Sequence, residues 1–267
     1  VLPLESLYPI RLIQGSHIVV KKLYKENKSY ILQQPDKRIV FIIPYLDKYS
    51  LIGTTELEVE SATKPQITNE EKEYLIDCVN RFAKDKLSSK DILWSYSGVR
   101  PLIVDNSKSI SSNSRDYHLD VQLKSSHLIN IFGGKLTTYR KLSEKTVDEI
   151  DKHLSNKIKH WTHLKALPGC EKEPRVRNTF GLDQKIITRI LSTYGNLSQK
   201  VLNCMEIYDG PGDYICENLY EFEIFYLVKN EFAKNSDDIL FRRSKLGIEF
   251  NKNEIHTKIN QVIKKIK

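Results

Sequence analysis

The chain has 267 residues, with 42 Lys and Arg against 34 Asp and Glu for a net charge of +8, and it is 40% apolar and 28% charged. This length predicts one large or two modest domains with a sizeable core, and the composition excludes a mainly disordered chain. The longest apolar runs, such as Ile39-Val40-Phe41-Ile42-Ile43, fall far short of the roughly 20 residues that a transmembrane helix needs. Cys78, Cys170, Cys204 and Cys216 form no CxxC pair and no basic, apolar leader opens the chain at Val1, so free thiols in a cytoplasmic setting are expected. Met205 is the sole methionine, which predicts a fragment or a processed product.

From Arg11 to about Glu58 the chain reads as consecutive strands, at His17 to Val20, Tyr30 to Leu32, Arg38 to Ile43 and Leu51 to Thr55, with short polar breaks that favour an antiparallel meander. Thr68-Asn69-Glu70-Glu71 is a capping box, followed at helical spacing by Tyr74, Leu75, Cys78, Val79 and Phe82, so a helix is predicted over 69–87. Extended segments at Ile92 to Val104 and Tyr117 to Leu123 flank a Ser/Asn-rich loop at Asp105 to Ser114. A short strand at Leu128 to Phe132, a Gly133-Gly134 turn and a helix carrying Tyr139, Leu142, Val147, Ile150 and Leu154 come next. Beyond about Asn156 helical patterns dominate, at Lys185 to Tyr194, Tyr214 to Phe232, Asp237 to Leu246 and Lys252 to Ile266, and predict a second, mostly helical domain.

The strand, Gly-Gly turn and helix at 128–150 admit two readings. Glycines there let a ligand approach the backbone, where the free amides of a helix start suit an anion; the same glycines also serve a plain structural turn. The segment is not a P-loop, because GxxxxGK is absent. Arg100 lies within the apolar stretch Ser97-Gly98-Val99-Arg100-Pro101-Leu102, where an unpaired charge costs several kcal/mol. It calls for an anion, either an internal carboxylate such as Asp116 or a substrate phosphate in the guanidinium fork. Arg115 beside the Ser/Asn loop reads as a surface charge or a second ligand group. His17, after Gly15-Ser16, is either a hydrogen-bonded structural residue or a base suited to neutral pH. His160 and His163 lack partners at ligand spacing, so no metal is assigned. Residues 251–267 hold five lysines and one glutamate, half of the net charge, on a helix with an apolar face of Ile255, Ile259, Val262, Ile263 and Ile266. That pattern fits a core-packed last helix or one docked on anionic lipid. Interspersed charge and the lack of a binding module argue against nucleic acid.

Taken together, Arg11-Leu12-Ile13-Gln14-Gly15-Ser16-His17-Ile18-Val19-Val20, Ile52-Gly53-Thr54-Thr55, Tyr96-Ser97-Gly98-Val99-Arg100-Pro101-Leu102, Ser114-Arg115-Asp116-Tyr117 and Phe132-Gly133-Gly134-Lys135-Leu136-Thr137-Thr138-Tyr139-Arg140 resemble the C-terminal half of the FAD-dependent, quinone-linked glycerol-3-phosphate dehydrogenases. Leu167-Pro168-Gly169 and the segment Asp237 to Gly247 resemble landmarks of that family's helical C-terminal domain. Glu56 departs from the aspartate expected after the Gly-Thr-Thr string, and the family's N-terminal GxGxxG unit is absent.

The resemblance implies oxidation of sn-glycerol 3-phosphate to dihydroxyacetone phosphate, with hydride passing to FAD and electrons then to quinone. It implies that Arg100 grips the substrate phosphate with help from Arg115, that Lys135 lies near flavin and substrate, and that His17 accepts the C2 hydroxyl proton. Gly133, Gly134, Lys135, Leu136 and Thr137 would bring backbone amides to the flavin ring. The expected fold is α+β: a substrate-binding cap domain over 1–122 with an antiparallel sheet, the C-terminal strand and helix of a Rossmann-like FAD domain over 123–156, and an all-helical domain over 157–267. Without the GxGxxG half the chain is expected to be inactive, with a separate N-terminal half as partner and peripheral contact at the inner face of the cytoplasmic membrane. The alternative is a non-catalytic remnant or an interaction module for a partner or membrane.

Overall fold

A computed structural model describes residues 9–103, 116–122, 128–154 and 159–267. They form two compact units, divided between Thr162 and His163.

The first unit is organised on one long strand, β1 (Ile10–Lys21). Strands β2 (Tyr30–Gln33), β3 (Ile39–Tyr45) and β4 (Tyr49–Gly53) form an antiparallel meander, and β4 then pairs with β1. The expected simple meander is therefore modified, because β1 lies beside β4 rather than β2. Past Gly53 the chain breaks for three residues and resumes as β5 (Leu57–Val59), on the same edge of β1. The other edge of β1 pairs along its length with β6 (Ile92–Ile103). Strands β7 (Tyr117–Gln122) and β8 (Leu128–Gly133) form a separate antiparallel pair.

Side chains alternate between the two faces of a strand. Ile18 and Val20 of β1, with Leu32, Val40 and Ile52, form one apolar face, and α1 (Asn69–Asn80) covers it with Leu75, Ile76, Cys78 and Val79. Thr68 and Glu71 make the expected capping box at the start of α1. The helix ends earlier than predicted, at Asn80, because the Asn80 side chain accepts from Leu87 N (2.8 Å) and donates to Leu87 O (2.9 Å), folding the chain back. Helix α2 (Tyr139–Leu154) follows β8 through one 3₁₀ turn, Leu136–Thr138. Its buried Glu144 accepts from Thr162 Oγ1 (2.5 Å) and Lys141 Nζ (3.0 Å), and these two bonds hold the carboxyl down at about 2.

The second unit is mainly helical: α3 (Gln184–Tyr194), α4 (Ser198–Asn203), α5 (Glu221–Asn230), a π-helical segment at Asp238–Arg243, α6 (Gly247–Phe250) and α7 (Asn253–Ile266). The helix predicted from Tyr214 begins only at Glu221. Residues Tyr214 to Tyr220 instead make a small hairpin, β9 (Tyr214–Cys216) and β10 (Leu219–Tyr220), turned by Glu217 in the left-handed region and burying Ile215, Cys216 and Leu219. The core joins Ile190, Leu202, Phe222, Ile224 and Leu227 to Ile259, Val262 and Ile263 of α7. The apolar face of the basic last helix is thus spent inside its own unit. Arg189 donates to both carboxylate oxygens of buried Glu223 (2.8 and 2.6 Å), and Tyr194 Oη donates to the same group at 2.8 Å. Among the described residues no helix is long and apolar enough to cross a membrane.

Phe222 is fully buried among these helices, so Phe222→Ala is expected to lower unfolding stability by about 3–5 kcal/mol, read by urea denaturation.

Candidate active site and family

The face of the sheet opposite α1 carries the candidate groups. Along β1 that face shows Ile13, Gly15 and His17; register places Arg100 opposite Ile13, Gly98 opposite Gly15 and Tyr96 opposite His17. On the other edge of β1, Gly53 lies opposite His17. Arg100 and His17, 83 residues apart in sequence, therefore share one surface of neighbouring strands.

Glycine is required at two points by close approach. A methyl group on Gly15 would fall onto the Arg100 guanidinium and within 2.7 Å of Thr54 Oγ1, so the guanidinium lies back across β1 over Gly15. A methyl group on Gly53 would fall onto the His17 imidazole. Gly98 is different. Among the described residues, no atom outside its two chain neighbours lies within 4 Å of where its Cβ would sit, and its φ is not positive. On that face its register neighbours are Gly15 across the strand pair and Tyr96 and Arg100 along β6.

His17 is held by stacking. Its ring lies parallel to that of Tyr96, centroids 4.9 Å apart, and Tyr96 in turn meets Trp94 at 5.2 Å. Nδ1 of His17 is buried with no hydrogen-bond partner among the described residues. Burial, and secondarily the positive charge of Arg100, lowers the imidazole to about 4, so it is neutral at pH 7. Burial also raises the phenols of Tyr96 and Tyr45.

The Gly-Gly turn lies in the same unit. Gly133 and Gly134 both have positive φ, 66° and 96°. A Cβ on Gly133 would sit 3.3 Å from Asp116 O and 3.6 Å from Pro101 O, so the turn runs beside the residue that follows Arg100. Lys135, Leu136 and Thr137 are exposed, Leu136 at 88% of its surface. Thr138 N donates to Lys135 O and Tyr139 N to Leu136 O, so the amides without an intrahelical acceptor are those at the start of the turn, Leu136 and Thr137. Exposed amides, two consecutive left-handed glycines and a bare leucine fit a flat, partly apolar cofactor approaching the backbone. Arg115 lies outside the described residues. Among the described residues no group of three or more His, Cys, Asp or Glu could hold a metal ion. Tyr96 and Gly98 were not singled out in the sequence, although counting back by twos from Arg100 along a strand finds both.

Residues 2–140 match the family model for FAD dependent oxidoreductases, and residues 160–266 match the model for the C-terminal domain of alpha-glycerophosphate oxidase. The chain is 42% identical to a glycerol-3-phosphate dehydrogenase of Pseudomonas aeruginosa, over 91% of this chain and 50% of that protein. It is 39% identical to the aerobic glycerol-3-phosphate dehydrogenase of Escherichia coli, over 93% of this chain and 52% of that protein. It is 36% identical to a D-erythritol 1-phosphate dehydrogenase of Brucella abortus, over 88% of this chain and 49% of that protein. The fold is also that of the glycerol-3-phosphate dehydrogenase from Bacillus halodurans solved with FAD, at a TM-score of 0.70 and 22% identity, over 96% of this chain and 56% of that one. The chain spans about half the length of the curated relatives it matches. On these matches it belongs to the FAD-dependent oxidoreductase family, its second unit being the C-terminal domain found in alpha-glycerophosphate oxidase.

Proposed function

We propose that this chain is the C-terminal portion of a flavoprotein that oxidises sn-glycerol 3-phosphate to dihydroxyacetone phosphate. The observation that carries the reading is the guanidinium of Arg100 over Gly15, two residues along β1 from a neutral His17, on a face to which Gly98, opposite Gly15, adds no side chain. Residues two apart on a strand lie about 7 Å from each other, a span suited to a three-carbon phosphate ester bound at both ends. Arg100 grips the phosphate by paired N–H donors, with Arg115 assisting. His17, neutral at pH 7, takes the C2 hydroxyl proton. The phosphate dianion offsets the charge of Arg100, so substrate binding raises the affinity of His17 for that proton.

FAD, when bound, supplies the hydride acceptor for C2. Gly133, Gly134, Lys135, Leu136 and Thr137 would hold its ring through backbone amides, with the Lys135 ammonium beside flavin and substrate. We read residues 1–122 as the substrate-binding cap domain, 123–156 as the last strand and helix of a Rossmann-like FAD domain, and 157–267 as the helical C-terminal domain. The exposed Val147, Ile150 and Leu154 of α2 support this, as an apolar face for the rest of such a domain. The pyrophosphate cradle belongs to the part of the relatives that this chain does not span, so the chain alone does not turn over and a separate N-terminal FAD-binding half restores it. Quinone is the onward acceptor, with peripheral contact at the inner face of the cytoplasmic membrane. Since α7 buries Ile255, Ile259 and Ile263, that contact falls to exposed side chains such as Lys258 and Lys264.

The test is to purify the chain with and without an FAD-binding N-terminal half and to record flavin absorbance and substrate-dependent dye reduction, with D-erythritol 1-phosphate as the competing polyol phosphate. Turnover should need both halves. Flavin retention and turnover by the chain alone would defeat the requirement for a second half, and no flavin after mixing would favour a non-catalytic remnant. In the active preparation Arg100→Ala should reduce kcat/KM by about 2–5 kcal/mol of transition-state binding, mostly through KM; an unchanged kcat/KM removes Arg100 from the phosphate site.

His17 also has a stability signature. Its folded pKa of about 4 lies below the ordinary 6.5, so between these values the unfolded chain binds a proton that the folded chain does not. Stability therefore rises with pH through that window and is complete above it. His17→Gln should flatten this part of the urea-denaturation pH profile, removing a slope worth of order 2 kcal/mol after allowance for partial solvent access.

A further inference from the structure

Glu71 closes the capping box of α1, yet it does more than cap. Its side chain is buried, 6% exposed, and it accepts four hydrogen bonds. Oε1 accepts from Ser16 Oγ (2.8 Å) and Thr55 Oγ1 (2.5 Å), and Oε2 accepts from Gln14 Nε2 (2.9 Å) and Thr68 N (2.9 Å). These fill the usual acceptor capacity of a carboxylate. With its proton given to Glu71, Ser16 Oγ accepts from Ser97 Oγ at 2.8 Å. Thr55 Oγ1 in turn accepts from Ser16 N at 2.9 Å.

Apart from Thr68 at the helix cap, each of these partners is the back-face neighbour of a front-face group. Gln14 and Ser16 alternate with Gly15 and His17, Ser97 lies between Tyr96 and Gly98, and Thr55 follows Thr54. The segments at residues 14–16 and Thr55 are thus tied from behind to one carboxylate on a covering helix, and β6 joins them through Ser97 and Ser16. We propose that Glu71 is a positioning residue that sets the spacing of His17, Gly15 and Arg100 across the sheet; its consequence for turnover rests on the function proposed above.

Glu71→Gln is nearly isosteric, but an amide accepts at only one of its two ends, so two of the four donors would face an NH₂ group. The test uses the FAD-loaded protein in which activity is found, with rates normalised to bound flavin. Expected are a fall of about tenfold in kcat/KM for glycerol 3-phosphate and a shift of more than about half a unit in the NMR titration of His17, assigned by its loss in His17→Gln. Loss of stability alone would move neither. A folded Glu71→Gln with both values at those of the parent overturns the proposal. The titration is read without substrate, so it still decides the positioning if the parent does not oxidise glycerol 3-phosphate, an outcome that would sink only the functional reading. Should Glu71→Gln fail to fold, Ser16→Ala removes one donor of the four; a change of about threefold in the same direction supports the proposal, and parent values for both readouts overturn it.

Discussion

The first unit depends on the two-sidedness of β1. Its twelve residues hydrogen-bond to β4 and β5 on one edge and to β6 on the other, so every element of the sheet is placed by reference to it. Its even-numbered residues Gln14, Ser16, Ile18 and Val20 turn towards α1, and Gly15 and His17 turn away. Burial of the apolar half fixes the register, because a slip of one residue would exchange the two sets. The same constraint that builds the core therefore decides which groups face a ligand.

Within that frame the electrostatics of the candidate site follow from proximity. Arg100 lies across β1 because Gly15 offers no side chain in its path, and the imidazole of His17 fits between Tyr96 and the bare backbone of Gly53. Both glycines act by absence of volume rather than by conformational freedom. Gly133 and Gly134 are the contrasting case, where left-handed backbone is what the turn requires. Desolvation and a neighbouring cation then hold His17 neutral, which leaves it able to accept a proton.

The second unit is stabilised by ordinary helix packing around Phe222 and by the forked Arg189–Glu223 pair. Its last helix shows how composition can mislead about surfaces. Lysines over an isoleucine stripe admit a lipid-facing helix beside the commoner core helix, and what separates the two is whether another apolar surface exists to receive the stripe. Helix α5 supplies one.

Much was legible in the sequence by itself, because the signals were local. The alternating and β-branched runs, the Thr68–Glu71 capping box and the Gly133-Gly134 turn are decided by neighbours a few residues away, and the strings around His17, Arg100 and Lys135 carried the family resemblance. The hairpin at Tyr214–Tyr220 was misread as helix, since a left-handed residue at Glu217 is not encoded by glycine or asparagine. The early stop of α1 depends on Asn80 reaching Leu87, a contact no periodicity announces. Only the tertiary structure paired β1 with β4 instead of β2, brought Arg100 over Gly15, and turned the capping glutamate into the buried acceptor behind the site. Those outcomes depend on which strands meet and which face is covered, and such relations join residues tens of positions apart through burial rather than through sequence order.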